Sequence, residues 1–270
     1  MAYGGPWTLI KLDVIEKYLN FYVTAMKNNF KLCYIDAFAG EGEFEVKNIG
    51  PTTGSALRAL DYPFDRYLFI EKLEENVTKL NAAVNSKGEN NVDIIAGDCN
   101  ELLSRINSVS WYKSYWRGVI FLDPYAMELK WDSLKTISQT KAFDVWYLFP
   151  LSALTRNLRR DGKIDNKTKG TITSLLGTTE WETEMYFESP QMALFGETVE
   201  VERVSINNIS KYIVKRLRTV FPGVADNPLI LRNPINNSPL FLLCFAVSNQ
   251  DRKAIELSLK AANHILTHSS

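Results

Sequence analysis

Four carboxylates, Asp36, Glu71, Asp98 and Asp123, each close a short apolar run: Lys31–Asp36, Tyr67–Glu71, Val92–Asp98 and Gly118–Asp123. Apolar runs of this length, bounded by turn residues, read as buried strands, so each acid falls at a strand's carboxyl end. The first acid leads into Ala37-Phe38-Ala39-Gly40-Glu41-Gly42, a turn of small residues whose two glycines let the backbone approach a ligand closely. Ionised carboxylates only accept hydrogen bonds, so a group of them suits a ligand rich in hydroxyls and amines. Glu71 is placed to accept from both hydroxyls of a ribose. Asp98, with the Cys99 amide beside it, is placed for the edge of an adenine ring. Phe38 in the loop and Lys72 after Glu71 fall in the same predicted pocket. In the dinucleotide-binding pattern a helix starts directly at the glycines, whereas here about a dozen residues separate Gly42 from Ser55. That spacing disfavours a nicotinamide oxidoreductase. An unphosphorylated nucleoside with a charged tail, such as S-adenosylmethionine, fits better.

The fourth acid opens Asp123-Pro124-Tyr125-Ala126. An acid, a proline and an aromatic in this order suit methyl transfer to an amine or amide nitrogen. An exocyclic amine is a weak nucleophile because its lone pair is delocalised. A carboxylate that accepts its hydrogens restores electron density, and an aromatic ring aligns the acceptor plane. Asp123 is then the hydrogen-bond acceptor, Pro124 the rigid turn and Tyr125 the stacking residue. The usual tetrapeptide has two prolines before its aromatic, so Tyr125 sits one position early and is open to the acceptor, the cofactor or the core. Rare residues exclude other chemistry. The two histidines, His264 and His268, lie near the end of the chain, and Cys33, Cys99 and Cys244 stand alone. A histidine-dependent hydrolase and a zinc or other metal site are therefore not expected.

Positioning these residues requires an alternating chain. Helical patterns cover Thr8 to Met26, with Thr8 as N-cap, then Ser55 to Leu60, Leu73 to Val84, Asn100 to Ile106 and Trp131 to Ser138. Phe143 to Phe149 reads as a fifth strand. Strands alternating with helices predict an α/β, Rossmann-like fold, with a mostly parallel sheet and helices on both faces. Pro239 to Val247 reads as a late strand of the same sheet, and Arg252 to Leu266 as a last helix. With 270 residues the chain reads as a single domain, 1–270, and residues 150–205 as a helical insertion or lid after the fifth strand.

Arg156 to Lys169 carries six basic residues, and residues 180 to 202 carry seven glutamates without Lys or Arg. Arg156, Arg159 and Arg160 are candidates for gripping substrate phosphates, with a solvated helix-loop as the alternative. Thirty-one basic and 31 acidic side chains leave no net charge, which argues against non-specific coating of nucleic acid or anionic membrane. No apolar run is long enough for a bilayer and the start lacks a signal-peptide stretch, so a cytoplasmic setting is expected.

The whole chain resembles the three-Cys-motif partner proteins (TcmP), a branch of the class I S-adenosylmethionine-dependent methyltransferase-like fold. The resemblance rests on the helix carrying Lys11 and Leu12, on Tyr34-Ile-Asp-Ala-Phe-Ala-Gly-Glu-Gly42 and on the delayed Gly54-Ser55. Phe69-Ile-Glu71, Phe121-Leu-Asp-Pro-Tyr125 and the late strand at 239–247 complete it. Where the family usually has Asp-Pro-Phe-Gly, this chain has Asp123-Pro124-Tyr125-Ala126. The resemblance implies a cofactor pocket at Asp36, Gly40, Gly42, Glu71 and Asp98, and a protein partner bearing a three-cysteine motif. Two functions stay open: methylation of a nitrogen on a nucleic-acid base, or a non-catalytic subunit that docks the partner. The oligomeric state is not predicted.

Overall fold

Runs of branched and aromatic residues become inner strands because a sheet covered on both faces buries every side chain along them. The computed structural model describes residues 3–46, 49–188 and 201–269. A short strand β1 (Tyr3–Gly4) leads into α1 (Trp7–Met26) and β2 (Lys31–Asp36). The dozen residues after Gly42 are an antiparallel hairpin, β3 (Glu43–Val46) and β4 (Gly50–Thr53), and β1 pairs in parallel with β3. Then α2 (Ser55–Ala59), β5 (Arg66–Glu71), α3 (Glu74–Lys87), β6 (Val92–Ala96) and α4 (Cys99–Ser104) follow. The alternation continues through β7 (Trp116–Leu122), α5 (Trp131–Gln139) and β8 (Phe143–Phe149).

Strands β2, β5, β6, β7 and β8 are mutually parallel, in the order β6-β5-β2-β7-β8. The chain moves outward from β2 to β6, then crosses back to β7 beside β2. The two halves of the sheet thus part between the carboxyl ends of β2 and β7, where such sheets bind ligands. The late strand, here labelled β13 after intervening short elements, spans Pro239–Val247 and pairs antiparallel with β8. Its other edge carries β11 (Gly223–Val224) and β12 (Leu229–Arg232), which completes a sheet of eight strands. The fold is α/β and Rossmann-like, as expected.

Each face of the sheet has its own core. On β8, Phe143, Val145, Tyr147 and Phe149 point to one cluster, and Trp146 and Leu148 to the other. The second cluster takes Ile15, Tyr18, Leu19 and Tyr22 of α1, Leu80 of α3, and Ala262 and Leu266 of α10 (Arg252–Thr267). Asp144 of β8 is buried on this side. Its carboxylate accepts from the Tyr18 hydroxyl at 2.6 Å and the Ser258 hydroxyl at 2.8 Å, joining α1 and α10 through one acid. Burial pushes the Asp144 carboxyl up to about 6, against the opposing effect of those two donors. Where β7 passes β2 at Gly118 there is no room for a side chain: an added Cβ would meet the Cys33 carbonyl oxygen at 2.2 Å.

Helix α1 departs from expectation at its start. The N-cap is Pro6, and the Gly5 and Pro6 carbonyls accept from the amides of Thr8 and Leu9 at 2.9 and 3.1 Å. Proline at helical φ starts the turn earlier than a Thr8 cap would. Thr8 is instead buried one residue inside the helix.

Residues 150–205 begin with α6 (Leu151–Asn157), α7 (Asn166–Leu176) and α8 (Trp181–Glu184). Leu154, Ile172, Leu176, Trp181 and Met185 join the core cluster on the α5 side of the sheet. The hairpin of β9 (Tyr186–Glu188) and β10 (Val201–Arg203) leads to α9 (Ile206–Arg218). Residues 189–200 of the acidic stretch lie outside the described residues. Among the described residues no helix is long and apolar enough to cross a membrane.

Candidate functional site

The loops leaving β2, β5, β6 and β7 enclose a cavity of about 500 Å³. Phe38, Glu71, Lys72, Asp98, Cys99, Asp123 and Tyr125 all line it, together with Asn76 and Asn100. Glu71 ends β5 and is nearly buried. Its Oε2 accepts from the Gly40 amide at 2.9 Å, while Oε1 accepts from the Leu73 amide at 2.8 Å and the Asn76 side chain at 3.3 Å. The acid thus ties the glycine turn to the start of α3. With one protein donor on Oε2, a lone pair of that oxygen stays available.

Asp98 is the N-cap of α4 and lies just past the end of β6. Its Oδ1 accepts from the Asn100 amide at 2.9 Å, and its Oδ2 pairs with the Lys72 ammonium at 3.3 Å. Partial burial alone would raise this carboxyl; the Asn100 amides and Lys72 outweigh that effect and hold it below the usual carboxylate range. Asn100 also accepts from the Lys130 amide and the Ser133 hydroxyl, so it braces the loop after β7. Burial pushes the Cys99 thiol up to about 12, which makes it an inert lining residue.

Asp36 is placed differently from the expectation that it contacts a cofactor. It is fully buried and lines neither this cavity nor its neighbour. Its carboxylate accepts from the Ser55 hydroxyl at 2.6 Å and the Phe38 amide at 3.2 Å, so it anchors the glycine turn to α2 from beneath. Burial raises it to about 6, with Ser55 and Phe38 opposing.

Gly40 and Gly42, at φ +66° and +90°, line a second cavity of about 210 Å³ with Thr8, Lys11 and Ser55. Left-handed φ is strained for other residues, so these glycines shape the turn. Phe38 and Asp123 border both cavities. Asp123 follows β7 directly and forms an ion pair with Lys11 of α1, whose side chain is 6% exposed. The Lys11 ammonium also lies 5.5 Å from the Phe121 ring centroid. Pro124 is buried, whereas Tyr125 is 82% exposed at the rim of the first cavity, turned away from the core.

Arg156, Arg159 and Arg160 are exposed and line neither cavity; Arg159 is paired with Asp161 at 3.0 Å. Arg156 projects to solvent from α6, whose Leu151 and Leu154 are buried, and Arg159 and Arg160 follow the helix. Sequence reasoning missed Lys11, Asn76 and Asn100. The Asp98-Cys99-Asn100 spacing, an acid capping a helix, was a legible signal for the last of these.

No protein-family model matches the chain, and no characterised protein matches it by sequence. Solved structures do. The chain is similar to protein LPL1258 from Legionella pneumophila, with a TM-score of 0.51, 13% identity, and coverage of 97% of this chain and 93% of that one. That likeness is one of fold, over nearly the full length of both chains. The N-terminal domain of EvdMO1, crystallised with SAH bound, aligns with a TM-score of 0.44 at 12% identity, over 86% and 80% of the two chains. The methyltransferase domain of bacterial CtHen1-C aligns with a TM-score of 0.40 at 11% identity, over 87% and 98%.

Proposed function

We propose that this protein is an S-adenosylmethionine-dependent methyltransferase whose acceptor is a nitrogen on a nucleic-acid base. The observation that carries the reading is one cavity lined by Glu71, Asp98 and Asp123, at the point where the two halves of the sheet part. The acceptor-only chemistry of Glu71 and Asp98 fits the hydroxyls and exocyclic amine of an adenosine, and about 500 Å³ lies within the range of a small-molecule site. When bound, the cofactor supplies a methyl group on a positively charged sulfur. Glu71 would hold the ribose end and Asp98 with the Cys99 amide the adenine end, with Phe38 lining the same cavity. Asp123, with one oxygen engaged by Lys11, uses its other oxygen to accept a hydrogen from the acceptor amine. Tyr125 at the exposed rim is available for stacking on a planar base.

Isothermal titration of S-adenosylmethionine into the wild type and Glu71→Ala tests the cofactor reading. The variant is expected to bind more weakly by about 1–3 kcal/mol, because ribose hydroxyls would lose their buried acceptor. Equal affinity would remove Glu71 from the site. Incubation with labelled S-adenosylmethionine and separated cellular RNA, DNA and protein tests the acceptor. Label confined to the protein fraction would overturn the base-methylation reading.

A further inference from the structure

We propose that the end of the sheet opposite the carboxylate cavity holds a nucleotide-binding site, with a base stacked on Tyr112 and its phosphate on Lys113 and Lys141. The loop before β7, the end of α5 and the turn after β13 frame a cavity of about 530 Å³ there. It is separated from the first by the length of β7, about 20 Å at about 3.3 Å per residue. The proposal therefore does not rest on the S-adenosylmethionine reading. The two cavities differ in charge. Glu71, Asp98, Asp123 and Glu128 line the first, whereas among the described residues no carboxylate lines the other. Lys113 and Lys141 line it, are exposed, and form no ion pair among the described residues. Asp251, beside Gln250, is engaged in capping α10.

Trp111 and Tyr112 give the cavity aromatic surface. Tyr112 is 41% exposed, and the Arg117 guanidinium lies 4.0 Å from its ring centroid. Arg117 itself is 6% exposed. It donates to the Tyr112 and Trp116 carbonyls at 3.3 and 2.8 Å, but its Nε has no partner and no carboxylate pairs with it among the described residues. A buried cation without a counter-charge is costly, and it leaves a positive potential around Tyr112 that favours an anionic ligand. The amides of Gln139 and Gln250 offer donors and acceptors to the edge of a base. Backbone strain collects at the same place. Four non-glycine residues among those described have left-handed φ, and Tyr115 at +59° and Lys141 at +58° are two of them. Tyr115 holds its ring 68% exposed in a conformation that bulky residues rarely adopt. Rings interleaved with cations along Trp111-Tyr-Lys-Ser-Tyr-Trp-Arg117 match the way single strands are held, by stacking and by backbone phosphates.

Two probes test the site: a labelled single-stranded oligouridylate, read by fluorescence anisotropy, and uridine monophosphate, read by calorimetry. A pyrimidine is chosen because an adenosine also suits the first cavity. Lys113→Gln combined with Lys141→Gln is expected to weaken binding about tenfold and, for the oligouridylate, to lower the slope of log affinity against log salt by about one. Tyr112→Leu is expected to weaken binding about 5- to 50-fold, the loss of one stacked base. Lys211→Gln combined with Lys260→Gln removes two exposed lysines of α9 and α10 and is expected to change affinity by less than about twofold. Thermal unfolding checks that each variant is folded; if Tyr112→Leu is not, the two lysine pairs decide. Oligouridylate bound at least about tenfold more tightly than the mononucleotide assigns the site to a strand, and comparable binding assigns it to a free nucleotide. Failure of wild type to bind either probe overturns the site. So does unchanged affinity in the Lys113 and Lys141 variant, or an equal loss in the two lysine pairs.

Discussion

Gly118→Ala is expected to destabilise the protein by more than about 3 kcal/mol, the upper end of the usual cost of overpacking. The added methyl would lie 2.2 Å from the Cys33 carbonyl oxygen and 2.6 Å from the Phe143 ring. A ring can rotate away. A carbonyl inside a parallel ladder cannot, because Cys33 and Gly118 face each other in the β2–β7 pairing. Relief requires separating the two strands whose ends carry Asp36 and Asp123. Thermal unfolding is the measurement, and a fall in Tm of roughly 6–12 °C is expected for a chain of this size. Gly170→Ala is the control. It lies in α7 with no atom within 4 Å of the added Cβ, and is expected to gain about 1 kcal/mol from helix propensity. A Gly118→Ala protein as stable as wild type would refute the close approach of β2 and β7.

Asp144→Asn is expected to become progressively more stable relative to wild type as pH rises from 4 to 7. The folded-state carboxyl lies at about 6, above its ordinary 3.8, because burial favours the neutral form. A group raised in this way contributes stability that is fully present below its unfolded value and is lost as pH rises through its folded value. The shift of about two units corresponds to about 3 kcal/mol lost by wild type across that window. Asparagine does not titrate and keeps an oxygen for Tyr18 or Ser258. Asp36, also raised to about 6, is present in both proteins and cancels in the comparison. Urea unfolding at pH 4, 5, 6 and 7 gives the difference directly. Parallel curves for the two proteins would show that Asp144 does not titrate in this range.

The strand-helix alternation was readable because the inner strands are mostly apolar and the longer helices between them carry apolar residues at helical spacing. The Phe143–Phe149 and Pro239–Val247 strands have the bounds their sequences predict. The gathering of Glu71, Asp98 and Asp123 around one hollow was readable from their common position after apolar runs. Which way an acid points was not. Side chains alternate along β2, so Asp36 shares the face of Tyr34, and that face is covered by α2 and its Ser55. Nothing local to residue 36 says that this face will be closed. The Lys11–Asp123 pair joins residues 112 apart, and no spacing rule connects them. The arginines of residues 156–160 carry the right charge for a phosphate, but the buried positions of that segment, Leu154 and Leu158, are leucines and the arginines face solvent. Charge in sequence gives no direction in space.

The antiparallel placement of β13 has a consequence for how the protein is made. One edge of β8 finds its partner only when a segment about 90 residues further along the chain has been synthesised. At ribosomal rates of about 5–20 residues per second, that edge stays without its partner for roughly 5–18 s. Every residue of β8 is buried in the finished protein and all but Asp144 are apolar, so the waiting strand is largely apolar. During translation this stretch needs shelter from other nascent chains.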